Sequence, residues 1–171
     1  MPKASDLKPE DRFFGLFVST SGDGKSCAGA TFPKKLKIFD HDLRIRGLLG
    51  GKSFIDKFDE IEYESYPPSR PLTEFFDTLN MLEIQYIQGK RPYETLQFDS
   101  LTSQSRFFLS DAMDLTQGRV IGGKSVIVGG QNKIIGGIRV SGPADHNIKD
   151  QAIYRMFDFL RSFPCNIIVT A

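Results

Sequence analysis

The sequence predicts an α/β fold with a mainly parallel central sheet flanked by helices. Three observations carry that expectation. A continuous apolar run from Phe13 to Val18 breaks abruptly into a glycine-rich loop, the pattern of a strand buried on both faces. Strand-like and helix-like stretches alternate over most of the chain. Two further strand-like runs stop on acids, one at Asp40 and one at Asp99.

Length and composition set the frame. With 171 residues, 40% hydrophobic and 25% charged, the chain suits one globular domain over 1–171 with a core of its own. The formal net charge is +1, from 22 basic and 21 acidic residues, so a nucleic-acid contact would have to come from a local patch. No long uncharged apolar run reads as a membrane span, and Met1 to Asp6 lacks the apolar stretch of a secretory signal. The two cysteines, Cys27 and Cys165, read as small buried thiols in a reducing cytoplasm.

The elements follow in order. Residues 1–12 are polar and read as a lead-in to the first strand, 13–18. Lys25 to Phe32 permits a short helix ended by Pro33, and Leu36 to Asp40 reads as the second strand. Arg44 to Lys52 is basic and glycine-rich, and Asp59 to Glu64 alternates like a strand. Ser69 as N-cap and Pro71 near the first turn open a helix whose apolar face is Leu72, Phe75, Phe76, Leu79 and Leu82, with Gly89 as its stop. Tyr93 to Asp99 is a strand, and a helix follows from about Ser103 to Leu115. Eight glycines interrupt residues 118–142, where Ser125–Val128 and Lys133–Ile135 read as an inserted β-hairpin. A last helix begins at Asn147, and Cys165 to Ala171 reads as the final buried strand.

Two stretches compete for a phosphate-binding loop, which needs glycines for close backbone approach, a Lys for the β/γ-phosphates and a Ser or Thr for Mg²⁺. Gly118 to Ser125 fits G-x₄-G-K-[ST] in full, whereas Ser19-Thr20-Ser21-Gly22-Asp23-Gly24-Lys25-Ser26 has Ser19 at the first glycine position. Context reverses that ranking. A buried strand must feed the loop and a helix must receive the phosphate, which residues 13–18 and Lys25 onward supply. The perfect match runs into Val-Ile-Val-Gly-Gly-Gln-Asn, a β-turn-β pattern, and is expected to be a glycine-rich hairpin. On the loop alone, a Gly-Asp-Gly turn between two strands remains the alternative for Ser19–Ser26.

Gly15 through Asp42, with its Ala-Thr-Phe-Pro phrase and a strand finishing near two acids, resembles the RecA-like ATP-binding proteins of bacteriophages. Thr95 through Asp99-Ser100-Leu101-Thr102 resembles their Walker B phrase, and Phe163 to Ala171 looks like their next core strand. The resemblance covers about 13–42, 72–117 and 147–171, in order. It implies a RecA-like P-loop NTPase that binds ATP with Mg²⁺. Thr20, Ser21, Gly22, Asp23, Gly24, Lys25, Ser26 and Cys27 would hold the nucleotide. Lys25 would neutralise the β/γ-phosphates, and Ser26 and Asp99 would hold the metal. Asp42 would polarise the attacking water, where the family usually has Glu.

The function this implies is an ATPase of phage DNA recombination, single-strand annealing or replication. Its partners would be ATP or ADP, single-stranded DNA or a DNA-bound protein, and further copies of itself in a ring or filament. The alternative is a nucleotide-binding assembly domain with weak or no hydrolysis, which Ser19 and Asp42 favour. A small-molecule kinase ranks third, because no acceptor site is recognisable. Lys34, Lys35, Arg44, Arg46, Lys90 and Arg91 are the candidate DNA-facing cations, with solvated surface as the commoner role. His41 and His146 lack the spacing of a zinc site, and a surface or capping role is expected for both.

Overall fold

A computed structural model of the chain describes residues 12–20, 22–67, 70–115, 119–121, 124–126, 133–135, 138–141 and 143–171. Its centre is a five-stranded, all-parallel sheet. The strands are β1 (Phe14–Phe17), β2 (Leu36–Asp40), β3 (Ile61–Ser65), β4 (Thr95–Asp99) and β9 (Asn166–Thr170), in the spatial order β1-β9-β4-β2-β3. Register aligns the strand ends: Asp40 pairs with Asp99 across β2 and β4, and Phe17 with Thr170 across β1 and β9. Parallel strands point the same way, so the loops after β1, β2, β4 and β9 all emerge at one end. Ligands of open parallel sheets are bound at that end.

Alternation along the strands sorts the side chains onto two faces. Leu96, Phe98, Ile167 and Val169 join Phe39 in the larger core, under α3 (Leu72–Ile87), α4 (Leu101–Leu115) and α5 (Pro143–Leu160). Phe39 and Phe98 stack with ring centroids 4.8 Å apart, and Phe75 meets Phe39 edge-on at 5.6 Å. On the other face Leu36 and Ile38 pack with Ala30, Leu48 and Ile55, beneath α1 (Lys25–Gly29) and α2 (Gly47–Gly51).

The sequence placed most elements, and five details differ. First, β1 is an edge strand, not one buried on both faces: Leu16 is 49% and Val18 70% exposed. Its apolar run reports β-structure, but among the described residues only β9 pairs with it, and Phe13 and Phe17 are partly covered by Phe32. Second, α3 begins after Pro71 with no side-chain cap, and Ser69 lies outside the described residues. Third, α4 starts at Leu101, two residues earlier than expected. Fourth, α5 starts at Pro143 rather than Asn147, because proline suits the first helical position and Asp145 the first turn. Fifth, the described residues of the insertion form two antiparallel strand pairs rather than the one expected. β5 (Arg119–Ile121) pairs antiparallel with β6 (Lys124–Val126), and β7 (Lys133–Ile135) with β8 (Ile138–Val140). Two residues, Gly-Gly in each case, separate the paired strands in the sequence, the composition that two-residue hairpin loops favour. Lys124 and Ser125 of the perfect motif therefore lie on a strand, not at a helix start.

One packing detail couples the sheet to the loop. Gln97 is fully buried on β4, and its Nε2 donates to the Ser26 carbonyl at 3.3 Å. Gly29 leaves the room for it: a Cβ there would lie 2.6 Å from the Gln97 Cδ. Gly29→Ala is therefore expected to lower the unfolding free energy by about 1–3 kcal/mol, as overpacking does. Urea denaturation measures it, and an unchanged midpoint would refute the coupling.

Candidate functional site

The loop after β1 takes its shape from two glycines and one aspartate. Gly22 and Gly24 have φ of 95° and 79°, left-handed values that side-chain-bearing residues rarely adopt. The Asp23 carboxylate accepts from the Thr20 amide at 3.0 Å and the Thr20 hydroxyl at 2.7 Å, closing the loop on itself. The Thr20 hydroxyl is the main reason the Asp23 carboxyl titrates below its ordinary value. Thr20 thus spends its amide inside the loop. Ser21 lies outside the described residues. Lys25 lays its ammonium over the same loop, donating to the carbonyls of Ser19 at 2.6 Å and Thr20 at 2.9 Å.

The helix that follows is five residues long, and no side chain caps it. Its first amides, at Lys25, Ser26 and Cys27, are left without intrahelical partners. The Ser26 hydroxyl donates to Asp99 across 73 positions of sequence, and the other Asp99 oxygen accepts from Thr170 at the end of β9. The Asp99 carbonyl in turn accepts from the amides of His41 at 2.6 Å and Asp42 at 3.2 Å. That pair of bonds fixes the turn after β2 and delivers the Asp42 carboxylate to the Ser100 hydroxyl, which donates to it at 2.9 Å.

These groups surround one cleft with two lobes. The loop-side lobe, about 300 Å³, is lined by Gly22, Asp23, Gly24, Lys25, Ser26, Cys27, Asp42, Arg44, Gly47 and Asp99. The second lobe, about 250 Å³, is lined by Ser19, Lys25, Asp42, Arg44, Ser100, Thr102, Ser103, Arg106 and Ala171. Lys25, Asp42 and Arg44 belong to both. Every described residue expected at the site except Thr20 lines the first lobe.

Asp40 has a different part. It is 1% exposed, and its carboxylate accepts from the amides of Arg44 and Ile45 at 3.1 and 3.3 Å and from the Ser65 hydroxyl at 3.2 Å. It anchors the turn that carries Arg44 and lines neither lobe. His41 corrects its expected surface role. It is 4% exposed, stacks on Tyr66 at 5.1 Å and meets Phe75 and Phe107 edge-on. Burial pushes its pKa down to about 4, against the opposing pull of the Phe39 carbonyl and the Asp42 charge. His146 is exposed, 3.1 Å from the Ser141 hydroxyl. Cys27 is half-buried rather than buried, while burial holds the Cys165 thiol up at about 11.

The six candidate DNA-facing cations do not form one patch. Lys34, Lys35, Lys90 and Arg91 precede β2 and β4, whereas Arg44 and Arg46 follow β2 at the cleft end. Lys34 is committed to the carbonyls of Ala30 and Phe32, both at 2.6 Å.

For a metal, the donors are the Ser26 hydroxyl and the Asp99 carboxylate, already in contact. Among the described residues no group of three or more His, Cys, Asp or Glu side chains could hold an ion. That composition suits Mg²⁺, which usually takes one or two protein carboxylates and completes its shell with phosphate and water. No helix among the described residues is long and apolar enough to cross a membrane. Sequence reasoning missed Gln97 as the residue that ties α1 to the sheet, the buried Thr170 that bonds the Asp99 carboxylate, and Arg106 at the cleft. The polar Gln97 in an otherwise apolar strand was the available signal for the first of these. No family, curated protein or solved structure matches the chain, so its function has to be read from the cleft itself.

Proposed function

We propose that this chain is a Mg²⁺-dependent ATP-binding domain of the RecA-like P-loop kind, and an ATPase. The carrying observation is the contact between Ser26 and Asp99, beside Lys25 and Asp42, at the end of the sheet where parallel strands present their loops. Three separate segments, the loop with the start of α1, the turn after β2 and the end of β4, bring a lysine, a hydroxyl and two acids to one lobe. Bound phosphate would take the Lys25 ammonium from the Ser19 and Thr20 carbonyls, exchanging neutral acceptors for charged ones. Mg²⁺ would supply charge neutralisation on the phosphates. Ser26 and Asp99 would hold it, Thr170 would keep the Asp99 carboxylate oriented, and Asp42 would orient and polarise water.

The link to DNA recombination, annealing or replication rests on the resemblance to phage proteins. A specific observation also favours the assembly-domain alternative: the Asp42 carboxylate is held by Ser100, and it is one methylene shorter than the usual Glu. In that case nucleotide binds and turnover is weak or absent.

Titration with a fluorescent ATP analogue and Mg²⁺ tests the binding. Lys25→Ala should weaken it about 10- to 100-fold, the worth of about 1.5–3 kcal/mol for a charge-assisted contact. A wild-type chain that takes up no nucleotide would sink the proposal. Phosphate release, with and without single-stranded DNA, then separates ATPase from assembly domain.

A further inference from the structure

Another cavity, about 530 Å³, lies between α3 and α5 and is larger than either lobe of the cleft. It shares no described lining residue with them. Helical spacing builds it. Ile148, Ala152, Arg155 and Phe159 recur at i, i+4, i+7 and i+11 on α5, and Phe76 and Asn80 at i and i+4 on α3. Met156 lines it from the core side, 1% exposed. Phe76 and Phe159 are half-buried, braced by the rings of Phe108 at 5.9 Å and Phe163 at 5.3 Å. The volume falls within the roughly 300–1,000 Å³ of pockets that take small organic ligands.

Charge narrows the occupant. The described lining holds two amide side chains, Asn80 and Gln151, one cation, Arg155, and no carboxylate. Arg155 is exposed, and among the described residues no hydrogen bond or ion pair engages it. The other charges of α5 are committed. Lys149 pairs with Asp150 at 2.9 Å, Asp158 with Arg161 at 3.4 Å, and Asp145 is buried with a partner. A single guanidinium balances a single negative charge, and its planar fork matches the two oxygens of a carboxylate. That match favours a carboxylate over a phosphate dianion.

We propose that the α3–α5 cavity binds a small amphipathic carboxylate, an aryl or medium-chain acid. Its apolar body would lie against Phe76, Met156 and Phe159, with its carboxylate on Arg155. The site is separate from the nucleotide lobe and does not depend on it.

Amide chemical-shift titration of the full chain tests this, with phenylbutyrate as the acid and phenylbutanol as its uncharged counterpart. Phenylbutyrate should shift amides of α3 and α5 saturably, and phenylbutanol should bind about tenfold more weakly or worse. Arg155→Gln should remove that preference, and Arg155→Lys should keep part of it. Arg161→Gln removes the same charge from the same helix outside the cavity, and should leave the preference unchanged. Equal affinity for acid and alcohol, or indifference to Arg155→Gln, overturns the proposal. So does uptake of a peptide ending in phenylalanine without uptake of phenylbutyrate, which would assign the groove to a protein terminus.

Discussion

Asp40→Ala should lower the unfolding free energy by about 3–5 kcal/mol, whereas Asp42→Ala should change it by about 1 kcal/mol or less. The two acids are two residues apart at one strand end, and only Asp42 was expected beside the attacking water. Their surroundings separate them. Asp40 is buried and accepts from two backbone amides and a hydroxyl, so its removal strands three donors, the Arg44 and Ile45 amides ahead of α2 and the Ser65 hydroxyl at the end of β3. Each hydrogen bond to a charged acceptor is worth about 1.5–3 kcal/mol, and burial makes orphaned donors costly. Asp42 is half-buried and gives up one bond, from Ser100. Urea denaturation of both variants measures the ordering, and a destabilisation of equal size would refute the division of labour. Activity should show the reverse pattern: Asp42→Ala loses ATP turnover with nucleotide binding retained. In Asp40→Ala, turnover per folded molecule should fall only as far as the Arg44 turn is displaced.

The cleft was more legible in the sequence than the sheet that builds it. Lys25, Ser26 and Asp99 each carry local signals, a glycine-rich turn after an apolar run and an acid at a strand end, and those signals survive without knowledge of neighbours. Strand order leaves no such trace. The apolar stretch at β1 fits a central strand as well as an edge one, and only its pairing with β9 reveals which it is. The hairpins failed for a related reason. Gly-Gly pairs recur every seven residues, at 122–123, 129–130 and 136–137, and the sequence reading joined strands across the middle pair. The pairings observed instead span the first and third. The Gln97–Gly29 fit was illegible because it joins a residue that looks misplaced in a strand to one that looks incidental in a helix. Neither is informative until the β4–α1 contact is known.

His41 supplies the other large effect, on stability as a function of pH. Its ring is enclosed by Tyr66, Phe75 and Phe107, its Nδ1 lies 3.2 Å from the Phe39 carbonyl, and among the described residues its Nε2 has no partner. Charging such a ring is costly. Asp42 offers partial compensation, and Arg70, 4.3 Å from the Tyr66 ring centroid, adds a positive charge beyond the stack. The folded pKa of about 4 therefore lies below the ordinary 6.5. Above pH 6.5 both states leave the ring neutral, and the fold has its full stability. As the pH falls from 6.5 towards 4, the unfolded chain takes up a proton that the folded chain refuses, so stability drops. The full loss is about 3 kcal/mol, complete near pH 4 and level below it. Chemical denaturation at steps between pH 7 and 4 should show this slope, superimposed on the titration of the carboxylates. His41→Phe keeps an aromatic ring in the stack and removes the titrating nitrogens, so it should flatten the curve in that window. At pH 7 the same change deletes an unpartnered buried nitrogen along with the Phe39 contact, and the two effects should nearly cancel. Parallel curves for the two proteins would show that His41 carries its proton in the folded state, contrary to the enclosed geometry beside Asp42.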